Sequence, residues 1–224
     1  MKGKLYAIGV GPGDKELITL KAYKILKQAD IVFLPSGRED FSWAFNVIKD
    51  YIQCPYVLLP FQMEKDRNEI IKENALKIYN HIKDNKQCVF ATAGDVSMYS
   101  TFWYLYGELK KIDQDLDVEI IPGINSFSAA SARLKIPIAH GQETFCVLPF
   151  GQKQVIKSQI FENIIVLKPV KEIEDLINEF IANGYKEIKI AEKVGTMDEK
   201  LGNPEDFDLS KKEYFRLIIA KKQR

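Results

Sequence analysis

The sequence predicts an α/β protein of two domains, and two observations carry that prediction. Short apolar segments alternate with segments whose apolar residues recur at helical spacing, as is typical of a sheet covered by helices on both faces. Near residue 120 the pattern changes, and a shorter half that is richer in strands follows. We therefore expect one α/β domain over residues 1–120, a second over residues 121–224, and a ligand cleft between them.

The N-terminal half predicts five strands and four helices. The strand segments are "KLYAIGV", "DIVFLP", "YVLLPF", "QCVFATA" and "DVEIIP". The helix segments between them are "DKELITLKAYKILKQA", "FSWAFNVIKDYI", "EKDRNEIIKENALKIYNHIKDN" and "MYSTFWYLYGELKKI". The third helix places four apolar residues on one face, Ile71, Ala75, Ile78 and Ile82. Because a helix follows each of the first four strands, we expect a largely parallel sheet.

The C-terminal half begins, after Gly123, with a helix of small residues, "INSFSAASARLKIP". Four strand segments follow, "TFCVLPF", "NIIVLKPV", "EIKIAEKV" and "YFRLIIAKK". Between the second and third of these, "EIEDLINEFIANGY" predicts a helix whose apolar positions are Ile173, Leu176, Ile177, Phe180 and Ile181. This half therefore predicts an α/β domain of its own.

Composition narrows the class of protein. The net charge of +1 in 224 residues gives no general affinity for nucleic acid. The three cysteines, Cys54, Cys88 and Cys146, lie far apart and form no CxxC pair, which favours a reducing cytoplasm over a disulfide framework or a thiolate metal site. No apolar run reaches the roughly 18 residues of a membrane span. We expect a cytoplasmic protein that binds neither nucleic acid nor membrane.

The first strand runs into a glycine-rich turn, which raises the question of a dinucleotide-binding fingerprint. That fingerprint is G-x-G-x-x-G, with an acidic residue about 20 positions further on that binds the ribose. Here Asp14 stands where the third glycine is required, and Pro12 removes a backbone N–H from the turn. A carboxylate at this position caps a helix but repels a phosphate. Although Asp30 is suitably spaced, we predict that this loop binds no phosphate.

Three motifs in series, "GVGPGDKELITLKA", "AGDVSMYSTF" and "IIPGINSFSAASARLKIP", resemble those of the tetrapyrrole (corrin/porphyrin) methylases, which use S-adenosylmethionine. Within that family, "YSTF", "SFSAASARL" and "PIAHGQETFCVLP" resemble the branch that methylates carbon 20 of precorrin-2, or of its cobalt complex cobalt-factor II, in cobalamin synthesis. The resemblance implies a class III methyltransferase-like fold. Such a fold has a mostly parallel N-terminal sheet, a mixed C-terminal sheet and an active site in the cleft between the two domains.

The resemblance also implies a methyl-donor site built mainly from backbone groups of loops after strands. The residues form no metal-site pattern, so we expect no protein-bound metal. The matching positions are Pro12, Ala93, Gly94, Asp95, Met98, Asn125 and Ser126, with Lys168 and Val194 in the second domain. The family usually has proline after this aspartate, whereas Val96 follows it here. We therefore expect a freer loop at this point.

Methyl transfer from a sulfonium needs positioning more than covalent help, and holding two reactants in line contributes roughly 7–11 kcal/mol. A proton must leave carbon 20, and the candidate bases are Tyr99, His140 and Glu143. Imidazole is the side chain that ordinarily titrates nearest to neutral pH.

The carboxylates of the ring favour cations at the rim of the site, because guanidinium binds carboxylate in a bidentate manner. The candidates are Arg38, Arg67 and Arg133, with Lys65 and Lys135 beside them. Three aromatic residues are candidates to flank the flat ring, Phe102, Trp103 and Phe127.

Simpler interpretations stand beside these. The glycines suit a tight turn, Asp14 suits a helix cap, and the three aromatic residues suit a core. A nucleotide-dependent oxidoreductase is favoured only by the strand–glycine–helix beginning, and a non-catalytic tetrapyrrole-binding protein would need no donor loops. Within the family, methylation at another ring position is the alternative. The residues leave open whether the ring already carries cobalt, with the cobalt complex preferred, and the resemblance implies a homodimer.

Overall fold

A computed structural model describes residues 3–37, 41–61 and 67–222. The chain divides into two compact units, Met1–Asn125 and Ser126–Arg224. This division follows Asn125, whereas the sequence predicts a boundary after residue 120. The cleft expected between the two halves stays a prediction.

The first unit contains one five-stranded sheet. Its strands are β1 Lys4–Gly9, β2 Ile31–Ser36, β3 Tyr56–Pro60, β4 Gln87–Thr92 and β5 Val118–Ile121. Its helices are α1 Leu20–Gln28, α2 Trp43–Ile48, α3 Arg67–Lys83 and α4 Phe102–Ile112, with a 3₁₀ turn at Lys15–Leu17. The strand order is β3-β2-β4-β1-β5, and every pairing is parallel. The expected parallel sheet is confirmed, and the carboxyl ends of its strands share one edge.

Both faces of this sheet are buried, which explains why its strands are apolar throughout. Leu5 and Ala7 of β1 belong to a core with α3 and α4, while Ile8 belongs to a core with α1 and α2. Successive side chains of a strand point to opposite faces, so β1 contributes to both cores. The loop after β1 leads to α1 on one face, and the loop after β4 leads to α4 on the other.

The first helix is predicted over residues 14–29, and this extent is wrong because the structure has a 3₁₀ turn at Lys15–Leu17 and then α1 at Leu20–Gln28. Asp14 accepts a hydrogen bond from the Glu16 N–H at 3.0 Å and caps only the 3₁₀ turn. Thr19 then accepts one from the Ala22 N–H at 3.2 Å and caps α1. Two capping residues in succession therefore give two separate helical starts. The cap expected of Asp14 is confirmed.

The second unit contains a mixed sheet, as expected. Its elements are α5 Ser126–Leu134, β6 Phe145–Pro149, α6 Lys153–Ser158, β7 Asn163–Leu167, α7 Ile173–Ala182, β8 Glu187–Glu192, β9 Lys200–Gly202, a 3₁₀ turn at Pro204–Asp206, and β10 Arg216–Lys221. The strand order is β6-β7-β10-β8-β9, with β6 and β7 parallel and the remaining pairs antiparallel. The sequence does not predict α6 or β9, since neither is long enough to show a period.

Helix α7 packs on this sheet through one apolar stripe. Ile173, Leu176, Ile177 and Phe180 are buried in the core of the unit. Ile181, the fifth apolar residue of the predicted helical pattern, is 60% exposed and lies at the edge of this stripe. In the described parts of the chain, no helix combines the length and the apolar character needed to cross a membrane.

Candidate functional site

Three glycine loops meet at the carboxyl edge of the first sheet. They follow β1, β4 and β5, and they bring together Gly9, Gly94 and Gly123. A Cβ on Gly9 would lie 2.5 Å from the Gly94 carbonyl oxygen and 2.7 Å from the Gly123 nitrogen. A Cβ on Gly123 would lie closer still to the same Gly94 oxygen. Glycine is required at both positions because the backbones touch.

The first two loops are also paired through their backbones. The Gly11 N–H donates to the Gly94 carbonyl at 3.2 Å, and the Gly94 N–H donates to the Gly11 carbonyl at 2.7 Å. Both glycines have positive φ, +83° at Gly11 and +72° at Gly94, a region that favours glycine. The amides that would cradle a pyrophosphate are therefore bound to one another. This agrees with the prediction that the turn is no phosphate site.

Asp95 connects the second loop to the third. Its carboxylate is 5% exposed and accepts hydrogen bonds from the Gly123 N–H at 2.7 Å and from the Ser97 N–H at 2.9 Å, and also from the Ser97 hydroxyl. These bonds hold the second loop in place. They also occupy the carboxylate oxygens that were predicted to contact the ligand. Asp95 therefore has a structural role in addition to the predicted contact.

Val96 does not leave the second loop free, so that expectation is wrong. Its side chain is fully buried in the core with α3 and α4, and its carbonyl accepts the indole N–H of Trp103 at 2.9 Å. In the first loop, Pro12 is buried and its carbonyl accepts the indole N–H of Trp43 at 3.0 Å. Burial and hydrogen bonding thus supply the restraint that a proline would otherwise give.

The remaining donor candidates of the first unit border this junction. An added Cβ at Gly94 would have no atom within 4 Å, so the Cα of this residue faces open space. Ala93 and Met98 beside it are half-buried, as are Asn125 and the first residue of α5, Ser126. The open face of Gly94, with half-buried Ala93 directly before it, fits a small ligand held by backbone groups.

In the second unit, Lys168 and Val194 follow β7 and β8 at the edge where β10 begins. The Lys168 N–H donates to the Arg216 carbonyl at 3.0 Å, and the neighbouring Lys193 N–H donates to the Phe215 carbonyl at 2.9 Å. Both lysines have positive φ, +55° and +49°, which is uncommon outside glycine. Lys168 also places its ammonium 4.8 Å from the centre of the Tyr214 ring, and Val194 is buried. The predicted donor residues Lys168 and Val194 therefore lie at one edge of the second sheet.

The three candidate bases lie in different surroundings. Tyr99 precedes α4 with φ +51° and an exposed side chain. The His140 side chain is exposed, and its backbone N–H donates to Glu143 Oε2 at 2.9 Å. The same Glu143 oxygen accepts a bond from Asn163 at 3.1 Å and lies 3.7 Å from the ammonium of buried Lys221. The structure thus brings His140 and Glu143 together, and it gives Glu143 a structural role.

The predicted cations and aromatic residues are only partly available for a ligand. The Arg67 guanidinium stacks 4.2 Å from the centre of the Tyr104 ring, and Arg133 Nε lies 4.0 Å from Glu199. Arg38 lies outside the described residues. Phe102 and Phe127 are buried, and Phe102 packs into the core with α3 and α4, which favours the core interpretation of these two residues over a place against the ring. Within the described ranges, no three His, Cys, Asp or Glu side chains group closely enough to hold a metal ion.

The fold defines the class of protein first. The structure aligns with that of a cobalt precorrin-4 methyltransferase at a TM-score of 0.76, covering 97% of this chain and 94% of the other at 23% identity. A uroporphyrin-III C-methyltransferase from Thermus thermophilus, crystallised with S-adenosylhomocysteine, aligns at 0.71 with 20% identity, covering 98% and 97%. The chain therefore has the fold of the class III methyltransferases.

The sequence then gives the family. Residues 4–204 match the tetrapyrrole (corrin/porphyrin) methylases, and the chain belongs to that family. A probable cobalt-precorrin-2 C(20)-methyltransferase of Methanocaldococcus jannaschii is 38% identical over 74% of this chain and 72% of its own length. A cobalt-precorrin-2 C(20)-methyltransferase of Salmonella typhimurium is 36% identical over 66% and 64%. The chain is thus an S-adenosylmethionine-dependent methyltransferase.

Sequence reasoning missed two residues that bind these loops, Trp43 and Trp103. It placed Trp103 against the ring and gave Trp43 no role. The sequence offered one signal for them: the chain has only two tryptophans, and they follow the ends of β2 and β4.

Proposed function

We propose that this chain transfers the methyl group of S-adenosylmethionine to carbon 20 of precorrin-2 or of its cobalt complex, cobalt-factor II, in cobalamin biosynthesis. The observation that carries the proposal is the identity of 38% and 36% with two relatives named for C(20) methylation. A relative named for C(11) methylation of cobalt-precorrin-4 is 26% identical over 82% of this chain. The C(20) reaction is therefore preferred over another ring position.

The bound donor supplies a methyl group on a positively charged sulfur, which is already activated for displacement. The chain's own residues hold and orient it. The open face of Gly94 allows the donor to approach the backbone closely. Half-buried Ala93 and buried Pro12 lie at the same edge of the sheet. Met98 in the second loop, Asn125 in the third loop and Ser126 at the start of α5 complete the contacts proposed there. Lys168 and Val194 are the contacts proposed from the second unit.

Positioning of the ring falls to cations and to one base. Arg67 and Arg133 are proposed to bind carboxylates of the ring, with Arg38 as the third predicted cation. Of the three candidate bases, His140 suits proton removal better than Glu143, because the Glu143 oxygen already accepts two hydrogen bonds and faces an ammonium. Tyr99 remains the alternative. A metal is part of the proposed substrate only, as the cobalt of the ring.

The test is anaerobic turnover with S-adenosylmethionine, offering cobalt-factor II and metal-free precorrin-2 in separate reactions. Mass spectrometry reads the gain of one methyl group, and fragmentation places it on the ring. We expect the cobalt complex to be methylated at carbon 20. Methylation elsewhere on either ring contradicts the proposed position. If neither ring gains a methyl while S-adenosylhomocysteine binds, the C(20) substrate is wrong and the family assignment stands.

We further propose a homodimer, which is what the resemblance implies, and a cytoplasmic location, which the separated cysteines favour. Light scattering on the purified protein tests the dimer directly, and a monomer mass at working concentration contradicts it.

A further inference from the structure

The two tryptophans of the chain have the same kind of hydrogen bond in the same part of the fold. Trp43 donates its indole N–H to the carbonyl of Pro12 at 3.0 Å, and Trp103 donates to the carbonyl of Val96 at 2.9 Å. Pro12 and Val96 belong to the two loops that pair through Gly11 and Gly94. Each paired loop is therefore anchored by one indole.

We infer that Trp43 and Trp103 are positioning residues for the methyl donor, an inference that rests on the donor site proposed above. Neither indole has to touch the ligand. A peptide group is planar, so holding the Pro12 oxygen also sets the direction of the Gly13 N–H, which points the opposite way. The bond to Val96 sets the Ser97 N–H in the same manner, and that N–H donates to Asp95 at 2.9 Å.

The two indoles act from opposite faces of the sheet. Trp43 opens α2, which packs with α1 on one face, while Trp103 lies in α4 on the other. Between them, the bonds of 3.2 Å and 2.7 Å that join Gly11 to Gly94 make the loops a single backbone unit. A displacement of either carbonyl is therefore transmitted to the open face of Gly94.

The experiment replaces each indole by a ring without the donor. Trp43→Phe and Trp103→Phe keep an aromatic side chain and remove one hydrogen bond each. We expect the Kd for S-adenosylhomocysteine to rise about three- to tenfold in each variant, the size of one lost hydrogen bond. The KM for S-adenosylmethionine should rise by the same factor in each variant, while the KM of Trp43→Phe for the tetrapyrrole should not change.

Tyr185→Phe is the matched control. Tyr185 is a buried aromatic residue of the second unit that donates its hydroxyl to the Phe161 carbonyl at 2.7 Å, at the amino end of β8. It loses a bond of the same kind, so Tm should fall without a change in Kd. An unchanged Kd in both tryptophan variants, or an equal rise in Tyr185→Phe, overturns the inference.

A shape-preserving replacement keeps the test decisive if a phenylalanine variant does not fold. Benzothienylalanine places sulfur where the indole has N–H and leaves the ring outline intact. The same rise in Kd is expected, and an unchanged Kd overturns the inference. If wild-type protein binds S-adenosylhomocysteine but methylates neither ring, the proposed substrate fails while this inference is still tested by Kd alone.

Discussion

The buried carboxylate of Asp95 accepts hydrogen bonds from two loops of the first unit, one from the Gly123 N–H and one from the Ser97 N–H. The same local pattern, Asp-x-Ser with both donors of the serine on one carboxylate oxygen, recurs on the surface at Asp208 and Ser210. The two sites differ in burial and in the bond that Asp95 accepts from a distant loop. This single contact decides how far apart the second and third glycine loops lie.

Asp95→Ala should lower the free energy of unfolding by about 1–3 kcal/mol, because the Gly123 N–H loses a charged acceptor. It should also weaken the binding of S-adenosylhomocysteine, since the loop beside Gly94 is no longer held. Urea unfolding and calorimetry measure the two effects. Asp208→Ala removes only the surface turn and should leave the affinity unchanged. An Asp95→Ala protein with wild-type affinity would remove Asp95 from the donor site.

His140→Gln should lower kcat by about 10²- to 10⁴-fold if His140 is the base, because that is the usual contribution of general base catalysis. The affinity for S-adenosylhomocysteine should not change. Glu143→Gln provides the comparison, since it breaks the contact with buried Lys221 and should lower Tm instead. A pH–rate profile of His140→Gln that matches wild type rejects the role of His140.

The strands of the first unit contribute to the glycine junction through the loops at their carboxyl ends. The strand β1 and the strand β5 bring Gly9 and Gly123 into contact with the Gly94 carbonyl, so no side chain fits between the three loops. Helix α4 carries a glycine of a different kind, Gly107, where an added Cβ would meet no atom within 4 Å. The same substitution, glycine to alanine, can therefore be compared at a crowded position, Gly123, and at an open one, Gly107.

Gly123→Ala should destabilise the first unit and abolish binding of S-adenosylhomocysteine, because its Cβ would overlap the Gly94 backbone. Gly107→Ala should raise the free energy of unfolding by about 0.5–1 kcal/mol, as alanine is the better helix former. Chemical denaturation of the two variants in parallel measures both changes. Wild-type affinity in Gly123→Ala contradicts the tight junction of the loops.

Across the whole molecule, the burial of two neutral thiols and one neutral phenol makes the free energy of unfolding vary with pH in the alkaline range. Burial raises the pKa of the Cys88 thiol in the first unit to about 12, and in the second unit that of Cys146 to about 11 and that of Tyr185 to about 12. The folded pKa of each group exceeds the unfolded value. Their contribution to stability is therefore fully present below the unfolded pKa and is lost as the pH rises through the folded one.

The free energy of unfolding should fall progressively from about pH 9 toward pH 12, as the unfolded thiols and phenol ionise first. Urea unfolding at a series of pH values measures the slope. Cys88→Ala removes the largest thiol contribution, so its slope over this range should be flatter than that of wild type. Equal slopes in the two proteins would show that Cys88 does not carry the effect.

Much of the fold was predictable because the signal is local. The period of 3.6 placed Ile71, Ala75, Ile78 and Ile82 on the buried face of α3, and all four are buried. The alternation of strands and helices predicted the parallel sheet. The extent of the first helix was predicted wrongly, because the period of apolar residues does not report the second cap at Thr19.

The sequence by itself determined the family, since three motifs in order lie in a chain that matches the tetrapyrrole methylases over residues 4–204. From Pro12 and Asp14 it also predicts that the first turn is a poor phosphate loop. Only the tertiary structure decided that Gly9, Gly94 and Gly123 share one junction, that Asp95 ties it, and that Trp43 and Trp103 anchor it. These contacts join residues far apart in the chain, and spacing along a sequence does not report which distant backbones touch.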